Sequence, residues 1–374
     1  MFSYVILQPI QTLNQIEGDF LTSYEEVLSA NKRKTFGWAV TSQLQQKETS
    51  ASDQKVKRGE IIFKLFGFIP IKKMSVMLAD DETYYVGGVP IGLSINTDGA
   101  IVIDREKCNQ NVVKNGDIIT EIDGQKIENL DDIANMIQNK NEVEAKLTRN
   151  NRSVRAKLKT YYDENANLKL GLWVKDGVEG AGTLTFVDKE TLEYRALGHP
   201  IVEANGGNIV PAARGDVYEC SVLGVTKGKR NAPGELKCAF AGNMKSKGTI
   251  ESNDKFGVKG KFDDLSTFVD ENKVAQLGGR LSVKPGKAKL VSSVSGIREE
   301  YDIEIIKNYY QKSAKDKSLI FRVKDKRLLE LTGGIVQGMS GSPILQNGKI
   351  VGAVTHVFTS DPTKGYGVYV DWML

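Results

Sequence analysis

Cysteine and histidine are scarce in this sequence. Its 374 residues include three cysteines and two histidines. Three cysteines are too few for a disulfide framework, although Cys220 and Cys238 could lie on neighbouring strands, as one bridge or as two free thiols. No Cys-x-x-Cys pair and no histidine cluster is present to supply the ligands of a metal ion. We therefore predict a protein that uses neither a metal nor a cofactor.

Long hydrophobic runs and an excess of one charge are missing as well. The apolar residues 1–10 are too few to span a bilayer and lack the basic flank of a signal peptide, so they are either the remnant of a membrane anchor or a weakly packed terminus. The 51 basic and 47 acidic residues give a net charge of +4 and are interspersed. Because no basic stripe with interleaved aromatic residues occurs, nucleic acid is not an expected partner.

Glycine is abundant by comparison, with 37 residues against 9 prolines. A chain of this length exceeds what one hydrophobic core usually serves, so two or three domains are expected. Residues 1–58 have a polar, linker-like composition, and residues 59–84 form a β-type connecting segment. Many short strands broken by turns predict a mainly β protein. In its C-terminal part only 269–277 and 303–311 leave room for helix.

A compact module is predicted over residues 85–160. Residues 99–103 form a buried strand, and an Asp-Gly turn at Asp123 closes a hairpin. Asn129 caps a short helix, and two alternating strands follow it. Together these segments predict a small domain with one helix.

This order of strands and helix resembles a PDZ domain. The resemblance implies that the module captures a peptide by β-augmentation. The peptide would lie between the helix that begins near Leu130 and the strand that opens with Ile91, Gly92, Leu93 and Ser94. The alternative is a small β-sandwich in which Gly92 serves only a turn.

The most specific motif lies near the C-terminus, where residues 338–344 are Gly-Met-Ser-Gly-Ser-Pro-Ile. A serine between two glycines, followed by a proline and a strand-turn-strand pattern, is how chymotrypsin-like peptidases present their nucleophile. The glycines allow a sharp turn, and amides beside the serine can point at a developing oxyanion. We predict Ser340 as the nucleophile and, by analogy with the chymotrypsin loop, the amides of Gly338 and Ser340 as the oxyanion hole.

A serine nucleophile needs a base and a third group that orients the base. His199 follows a predicted strand where Gly198 and Pro200 force a turn, and we predict it as the base. His356 lies in the strand after the nucleophile and is predicted to line a specificity pocket. Spacing alone does not select the carboxylate, and the candidates are Asp216, Asp263, Asp264, Asp302, Asp316, Asp325 and Asp361.

Three further segments make a family resemblance specific. They are residues 196–201 (Ala-Leu-Gly-His-Pro-Ile), 231–236 (Asn-Ala-Pro-Gly-Glu-Leu) and 332–344, which ends in the serine motif. From about residue 60 onwards the chain resembles the stage IV sporulation protein B peptidases of endospore-forming bacteria.

The resemblance implies a site and a fold. In that family the nucleophile matches Ser340, the base matches His199, and the orienting carboxylate matches Asp325. The expected catalytic domain is a chymotrypsin-like double β-barrel over residues 161–374, placed after the PDZ-like domain.

The resemblance also implies a role. Such a peptidase is exported to the space between the forespore and mother-cell membranes, where it processes itself. It then cleaves a regulatory subunit that restrains a membrane-embedded metalloprotease, so that a late sigma factor becomes active. The expected partners are that regulatory protein, the chain itself as a substrate, and a peptide ligand of the PDZ-like module. The family's N-terminal membrane segment would be shortened or missing here.

Two other classes of function fit the sequence less well. An α/β-hydrolase esterase needs Gly-x-Ser-x-Gly between a strand and a helix, but the fifth position here is Ser342 and a strand follows. A non-catalytic adaptor, with the PDZ-like module binding a partner and the barrel as scaffold, would not need all three triad candidates. We expect a secreted signalling serine endopeptidase.

Overall fold

The computed structural model describes residues 20–22, 40–46, 57–78, 82–106, 109–149, 152–202, 209–212, 214–240, 245–309, 311 and 313–374. Over these residues the chain is mainly β, which confirms the predicted fold class. In this part of the chain no helix is both long and apolar enough to cross a bilayer. The segment 1–10 and Cys108 lie outside the described residues.

A four-stranded sheet comes first. Its strands are β1 (Phe20–Thr22), β2 (Val40–Gln46), β3 (Lys57–Leu65) and β4 (Ile69–Leu78). They are ordered β1-β4-β3-β2, with β1 parallel to β4 and the other pairs antiparallel. Two strands therefore lie within the predicted linker 1–58, and the predicted connecting segment is mainly a hairpin.

The remaining elements up to residue 188 include two unusually long strands, of 16 and 17 residues. In chain order the elements are β5 (Tyr84–Val86), β6 (Pro90–Arg105), β7 (Ile118–Ile122), β8 (Gln125–Lys126), α1 (Leu130–Met136), β9 (Glu142–Arg149), β10 (Arg152–Lys159), β11 (Tyr161–Tyr162), β12 (Leu168–Lys169) and β13 (Leu172–Asp188).

Short strands and one helix make up the C-terminal part. In chain order they are β14 (Glu193–Ala196), β15 (Arg214–Glu219), β16 (Ser221–Thr226), β17 (Glu235–Ala239), β18 (Gly248–Asp254), β19 (Gly257–Phe262), β20 (Val274–Leu277), β21 (Gly286–Ser292), β22 (Glu299–Asn308), β23 (Leu319–Val323), α2 (Lys326–Thr332), β24 (Pro343–Gln346), β25 (Lys349–Val357), β26 (Lys364–Tyr369) and a 3₁₀ turn (Val370–Trp372).

Two barrels follow from the pairing of these described strands. The first closes in the order β6-β13-β14-β19-β18-β15 and returns to β6. The second closes in the order β21-β22-β23-β26-β25-β24 and returns to β21. Between them, β20 pairs with β5 on one side and β25 on the other. The predicted double β-barrel is confirmed.

Each barrel is filled by side chains that alternate along its strands. Tyr194 and Phe262 are fully buried in the first barrel, with ring centroids 4.7 Å apart. Tyr301 and Phe321 are fully buried in the second. Large buried side chains of this kind supply most of the free energy that holds a β-barrel closed.

The PDZ-like module has the local structure that its sequence predicts. Asp123 and Gly124 have φ of 48° and 80° and form the turn between β7 and β8. Asn129 caps α1, and Asp132 completes a capping box with it. β9 and β10 pair antiparallel as expected.

The module is inserted into the first barrel instead of preceding it. Residues 90–96 of β6 pair with β13 and β15 within the barrel, whereas residues 100–105 pair with β7 and with residues 172–175 of β13. Both long strands thus run through the barrel and the module. Residue 160, where the sequence placed the boundary between the two domains, lies between β10, which pairs with β9, and β11, which pairs with β12.

The predicted peptide-binding strand is not open. Ile91 and Leu93 are 0% and 1% exposed, and the segment that contains them with Gly92 and Ser94 has β13 on one edge and β15 on the other. A peptide cannot add to a strand whose hydrogen-bonding groups are already paired. The β-augmentation role predicted for these four residues is therefore wrong.

The two segments that left room for helix contain no helix among their described residues. Residues 274–277 form β20, and residues 303–308 belong to β22. In β22 the alternating Tyr301, Ile303 and Ile305 all face the second barrel's core. Apolar residues at every second position lie on one face of a strand. In a helix the same residues would be distributed around the axis, so the pattern favours a strand.

Cys220 and Cys238 are free thiols. They lie near each other where β16 and β17 pair. The hydrogen bond to Cys238, together with burial, raises the pKa of Cys220 above the ordinary thiol value. Of the two alternatives that the sequence left open, the structure contains the thiol pair.

Gly92 tests the placement of β6 in the barrel. A Cβ at this position would lie 2.4 Å from Cγ of Phe240, whereas a Cβ at Gly180 on the paired strand would meet nothing within 4 Å. We expect Gly92→Ala to lower the free energy of unfolding by about 1–3 kcal/mol through overpacking, measured by thermal or urea unfolding. The matched Gly180→Ala should unfold like the wild type. A Gly92→Ala variant with wild-type stability that had lost only peptide capture would contradict this placement.

Candidate active site

The nucleophile loop runs from α2 to β24 and depends on two glycines. Gly338 and Gly341 have φ of 94° and 97°, a region that disfavours other residues. A Cβ on Gly341 would also lie 2.0 Å from the carbonyl oxygen of Thr183. The two glycines that flank Met339 and Ser340 therefore allow both the turn and its close approach to the first barrel.

Strand β13 holds this loop by three hydrogen bonds. The amide of Thr183 donates to the carbonyl of Ser340 at 3.0 Å, and its hydroxyl donates to the carbonyl of Gly338 at 2.7 Å. The hydroxyl of Thr185 donates to the carbonyl of Gly341 at 2.8 Å. Neither threonine stands out in the sequence, where the only signal is a pair of polar residues on one face of a buried strand.

The groups expected to attack and to stabilise charge face a common space. Ser340 and Gly338 both line the cleft described below, and neither of their amides donates a hydrogen bond to another described residue. The hydroxyl of Ser340 donates to the carbonyl of Thr355 at 3.0 Å. Amides that are free to donate are what an oxyanion hole requires.

A cleft of about 470 Å³ lies between the two barrels. It brings Ser340 together with both histidines of the chain. Its walls are Ala181, Leu197, His199, Pro200, Val202, Ile335, Val336, Gln337, Gly338, Ser340, Val354, Thr355, His356 and Val357.

His199 enters the cleft from the first barrel. It follows β14 after Leu197 and Gly198, whose φ values are 71° and 70°, so the turn predicted around it is present. Its Nδ1 lies 3.0 Å from the carbonyl oxygen of Pro200. A carbonyl can only accept, so Nδ1 carries the proton and Nε2 has the free lone pair that a base needs.

The electrostatic surroundings keep His199 neutral. Burial lowers its pKa below the ordinary value of 6.5, while the Pro200 carbonyl and Asp316 oppose that shift. Burial disfavours the charged imidazolium, and nearby acceptors and negative charges favour it. His199 is thus neutral at neutral pH.

His356 stands beside His199, with ring centroids 5.6 Å apart. Burial lowers its pKa, and so does the neighbouring His199. Its Nδ1 is buried, makes no hydrogen bond to a described residue, and lies 4.0 Å from the carboxylate of Asp316. Asp316 lies between β22 and β23, and its carbonyl accepts a 3.0 Å hydrogen bond from the hydroxyl of Thr355. Its charge acts on both imidazoles.

Asp325, the carboxylate implied by the resemblance, lies elsewhere. It is the N-cap of α2 and accepts hydrogen bonds from the amide and guanidinium of Arg327 and from the amide of Asp302. Burial acts to raise its pKa, but these bonds outweigh it, so its pKa lies below the ordinary range. The structure does not bring Asp325 into the cleft with Ser340 and His199.

The three segments that carried the resemblance meet around the cleft. The amide of Leu236 donates to the carbonyl of Gln337, and the amide of Gln337 donates to the carbonyl of Gly234, so residues 231–236 support the approach to Ser340. Within the described residues, no group of three histidine, cysteine, aspartate or glutamate side chains is placed to hold a metal ion.

A family model for the SpoIVB peptidase S55 matches residues 166–374 of the chain. Among curated proteins, none matches.

Two solved structures are similar to parts of the chain. The PDZ domain of the SdrC-like protein from Listeria monocytogenes is 23% identical, with 22% of this chain and 93% of that chain covered and a TM-score of 0.21. The active form of the Rv3671c protease from M. tuberculosis is 12% identical, with 52% of this chain and 70% of that chain covered and a TM-score of 0.28. Both TM-scores are too low for either likeness to support a statement about this chain.

The pH dependence of peptide cleavage tests which aspartate acts on His199. As the pH is lowered, kcat/KM should begin to decrease only below pH 6.5, because burial lowers the pKa of this imidazole. This decrease is the acid limb of the profile. Asp316→Asn removes a charge that raises this pKa, so the limb should move to still lower pH. Asp325→Asn should leave the limb in place, since asparagine caps a helix as well as aspartate does.

The opposite pattern, a limb moved by Asp325→Asn and not by Asp316→Asn, would make Asp325 the partner of His199. Rates must be measured where the fold is intact, because the lowered pKa also couples pH to stability. Below pH 6.5 the unfolded chain takes up the proton that His199 resists, so the free energy of unfolding falls as pH falls.

Proposed function

The chain belongs to the SpoIVB peptidase S55 family, whose model matches its residues 166–374, and from that premise we propose that it is a serine endopeptidase acting through Ser340 and His199. The observation that carries this proposal is the cleft between the barrels, which is lined by both residues. Each barrel contributes one of them, so the site exists only when the two barrels are packed together.

The proposed reaction proceeds through an acyl-enzyme. Ser340 Oγ turns from the carbonyl of Thr355 towards Nε2 of His199, which takes its proton as Oγ attacks the scissile carbonyl carbon. The oxyanion accepts hydrogen bonds from the amides of Gly338 and Ser340. His199 then gives the proton to the leaving amine as the C–N bond breaks. Water, deprotonated by His199, hydrolyses the ester and restores Ser340.

Two groups support His199 in this scheme. The carbonyl of Pro200 keeps Nδ1 protonated, which leaves the lone pair on Nε2, the nitrogen that the scheme assigns to proton transfer. Asp316 favours the imidazolium that forms during attack, because its charge raises the pKa of both His199 and His356. Asp325, bonded to Arg327 at the start of α2, has the contacts of a residue that holds the helix leading to the nucleophile loop.

The walls of the cleft favour an apolar substrate side chain next to the scissile bond. Ile335 and Val336 precede the nucleophile, and Val354 and Val357 lie on β25 beside it. Apolar walls bind such a side chain by removing its surface from water. His356 shares this wall, in keeping with the specificity-pocket role proposed for it.

A peptide ligand of the PDZ-like module has a different edge to bind. Residues 172–175 of β13 pair only with β6 among the described strands. Leu172 and Val174 share the module's core with Leu130 and Ile133 of α1. We propose this edge, beside the helix, for β-augmentation by the ligand.

The family supports a wider role in sporulation. The proposed substrates are the chain itself and a regulatory subunit that restrains a membrane-embedded metalloprotease, whose release activates a late sigma factor. The proposed location is the space between the forespore and mother-cell membranes. The alternative is a non-catalytic adaptor in the same pathway. The next experiment distinguishes this adaptor from a peptidase.

Two serines of the same loop provide the test. Ser340→Ala should lower kcat for cleavage of a short peptide by about 10⁶-fold if serine and histidine act as a unit. Ser342→Ala is the matched control, since the hydroxyl of Ser342 is buried and has no hydrogen-bond partner among the described residues. It should cleave at close to the wild-type rate.

Wild-type activity in Ser340→Ala would leave the adaptor as the better description. If the full-length Ser340→Ala chain also processed itself at the wild-type rate, Ser340 would not be the nucleophile for self-cleavage either.

A further inference from the structure

The turn of the β3–β4 hairpin exposes large apolar side chains. Phe68 is 71% exposed, Phe66 is 45% exposed and Ile69 is 43% exposed, and Pro70 beside them is also exposed. Single apolar residues are normal on a soluble surface, but several gathered at one turn indicate a binding surface. These four residues are named the apolar tip.

The turn places a phenylalanine, Phe66, at a position whose backbone conformation favours smaller residues. Phe66 and Gly67 have φ of 53° and 83°, and the amide of Phe68 donates to the carbonyl of Leu65 at 3.3 Å. Turns with two left-handed residues favour Asn-Gly or Gly-Gly, and a bulky residue at positive φ is an outlier. Residues with strained backbone of this kind cluster at functional sites.

Basic side chains follow directly behind the tip. Lys64 pairs with Pro70 across the hairpin, Lys72 pairs with Phe63, and Lys73 pairs with Ile62. At about 3.3 Å per residue, the three lysines lie within about 17 Å of Phe68 along the strands. Lys64, Lys72 and Lys73 are named the basic collar, and the first acidic residue along the hairpin is Glu60.

We propose that this hairpin inserts its apolar tip into an anionic phospholipid bilayer, with the basic collar meeting the lipid phosphates. From the turn towards the body of the sheet, the hairpin has apolar residues first and basic residues next. A bilayer has the same order from its interior outwards, with hydrocarbon first and phosphate next. Phenylalanine side chains can be buried at the boundary between headgroups and acyl chains, and lysines are attracted to anionic lipids. This contact is separate from the catalytic cleft and from any anchor in residues 1–10.

Vesicle sedimentation tests the proposal with the full-length chain. The wild type should sediment with vesicles of phosphatidylglycerol and phosphatidylcholine in equal parts, and much less with phosphatidylcholine alone. Added salt should weaken binding, because it screens the basic collar. Phe68→Ser should weaken binding by about 10- to 100-fold, the factor expected for burial of one large apolar side chain.

Matched variants separate the hairpin from general surface effects. Ile297→Ser removes a side chain that is 67% exposed on another turn and should bind like the wild type. Lys72→Gln with Lys73→Gln should weaken binding, whereas the same double change at the exposed Lys126 and Lys159 should not. Thermal unfolding and short-peptide cleavage of each variant report whether the fold is intact.

Three outcomes would overturn the proposal. One is a wild-type chain that does not sediment with anionic vesicles. Another is Phe68→Ser binding as tightly as Ile297→Ser, which would assign the contact to another segment such as residues 1–10. The third is equal binding to neutral and anionic vesicles, which would remove the role of the basic collar.

Discussion

Strand β13 is the constraint on which the rest of the structure depends. Its first residues form an edge of the sheet of the PDZ-like module, its middle pairs with β6 in the first barrel, and Thr183 and Thr185 donate hydrogen bonds to the nucleophile loop of the second barrel. One continuous strand makes all three sets of contacts. Displacement of one body along this strand would therefore be felt by the other two.

Features that depend on neighbouring residues could be predicted from the sequence. The turn at Asp123 and Gly124 and the capping box at Asn129 rest on chemistry within four residues, and both are present. The glycines around Ser340 belong to this class too, since a sharp turn has few other solutions. The mainly β character and the double barrel followed from many short alternating segments together.

Features that depend on distant partners could not be predicted. The resemblance to a PDZ domain predicted a strand at residues 91–94 but not that β15 would cover its second edge. The position of Asp316 near the histidines is set by how β22 and β23 pair, and spacing along the chain does not encode it. Thr183 and Thr185 resemble ordinary strand residues until the second barrel is placed beside them. Each of these is decided by tertiary packing and not by local preference.

The contact between His199 and Pro200 determines which substitutions the site can tolerate. The atom that fixes the imidazole tautomer is a main-chain oxygen, and every amino acid at position 200 would still supply one. A substitution at position 200 therefore cannot remove this carbonyl oxygen, although it can change where the oxygen lies. The vulnerable positions are instead Leu197 and Gly198, whose left-handed backbone aims the segment. The orientation of this imidazole is thus protected from substitution at position 200 and sensitive to substitution at Leu197 and Gly198.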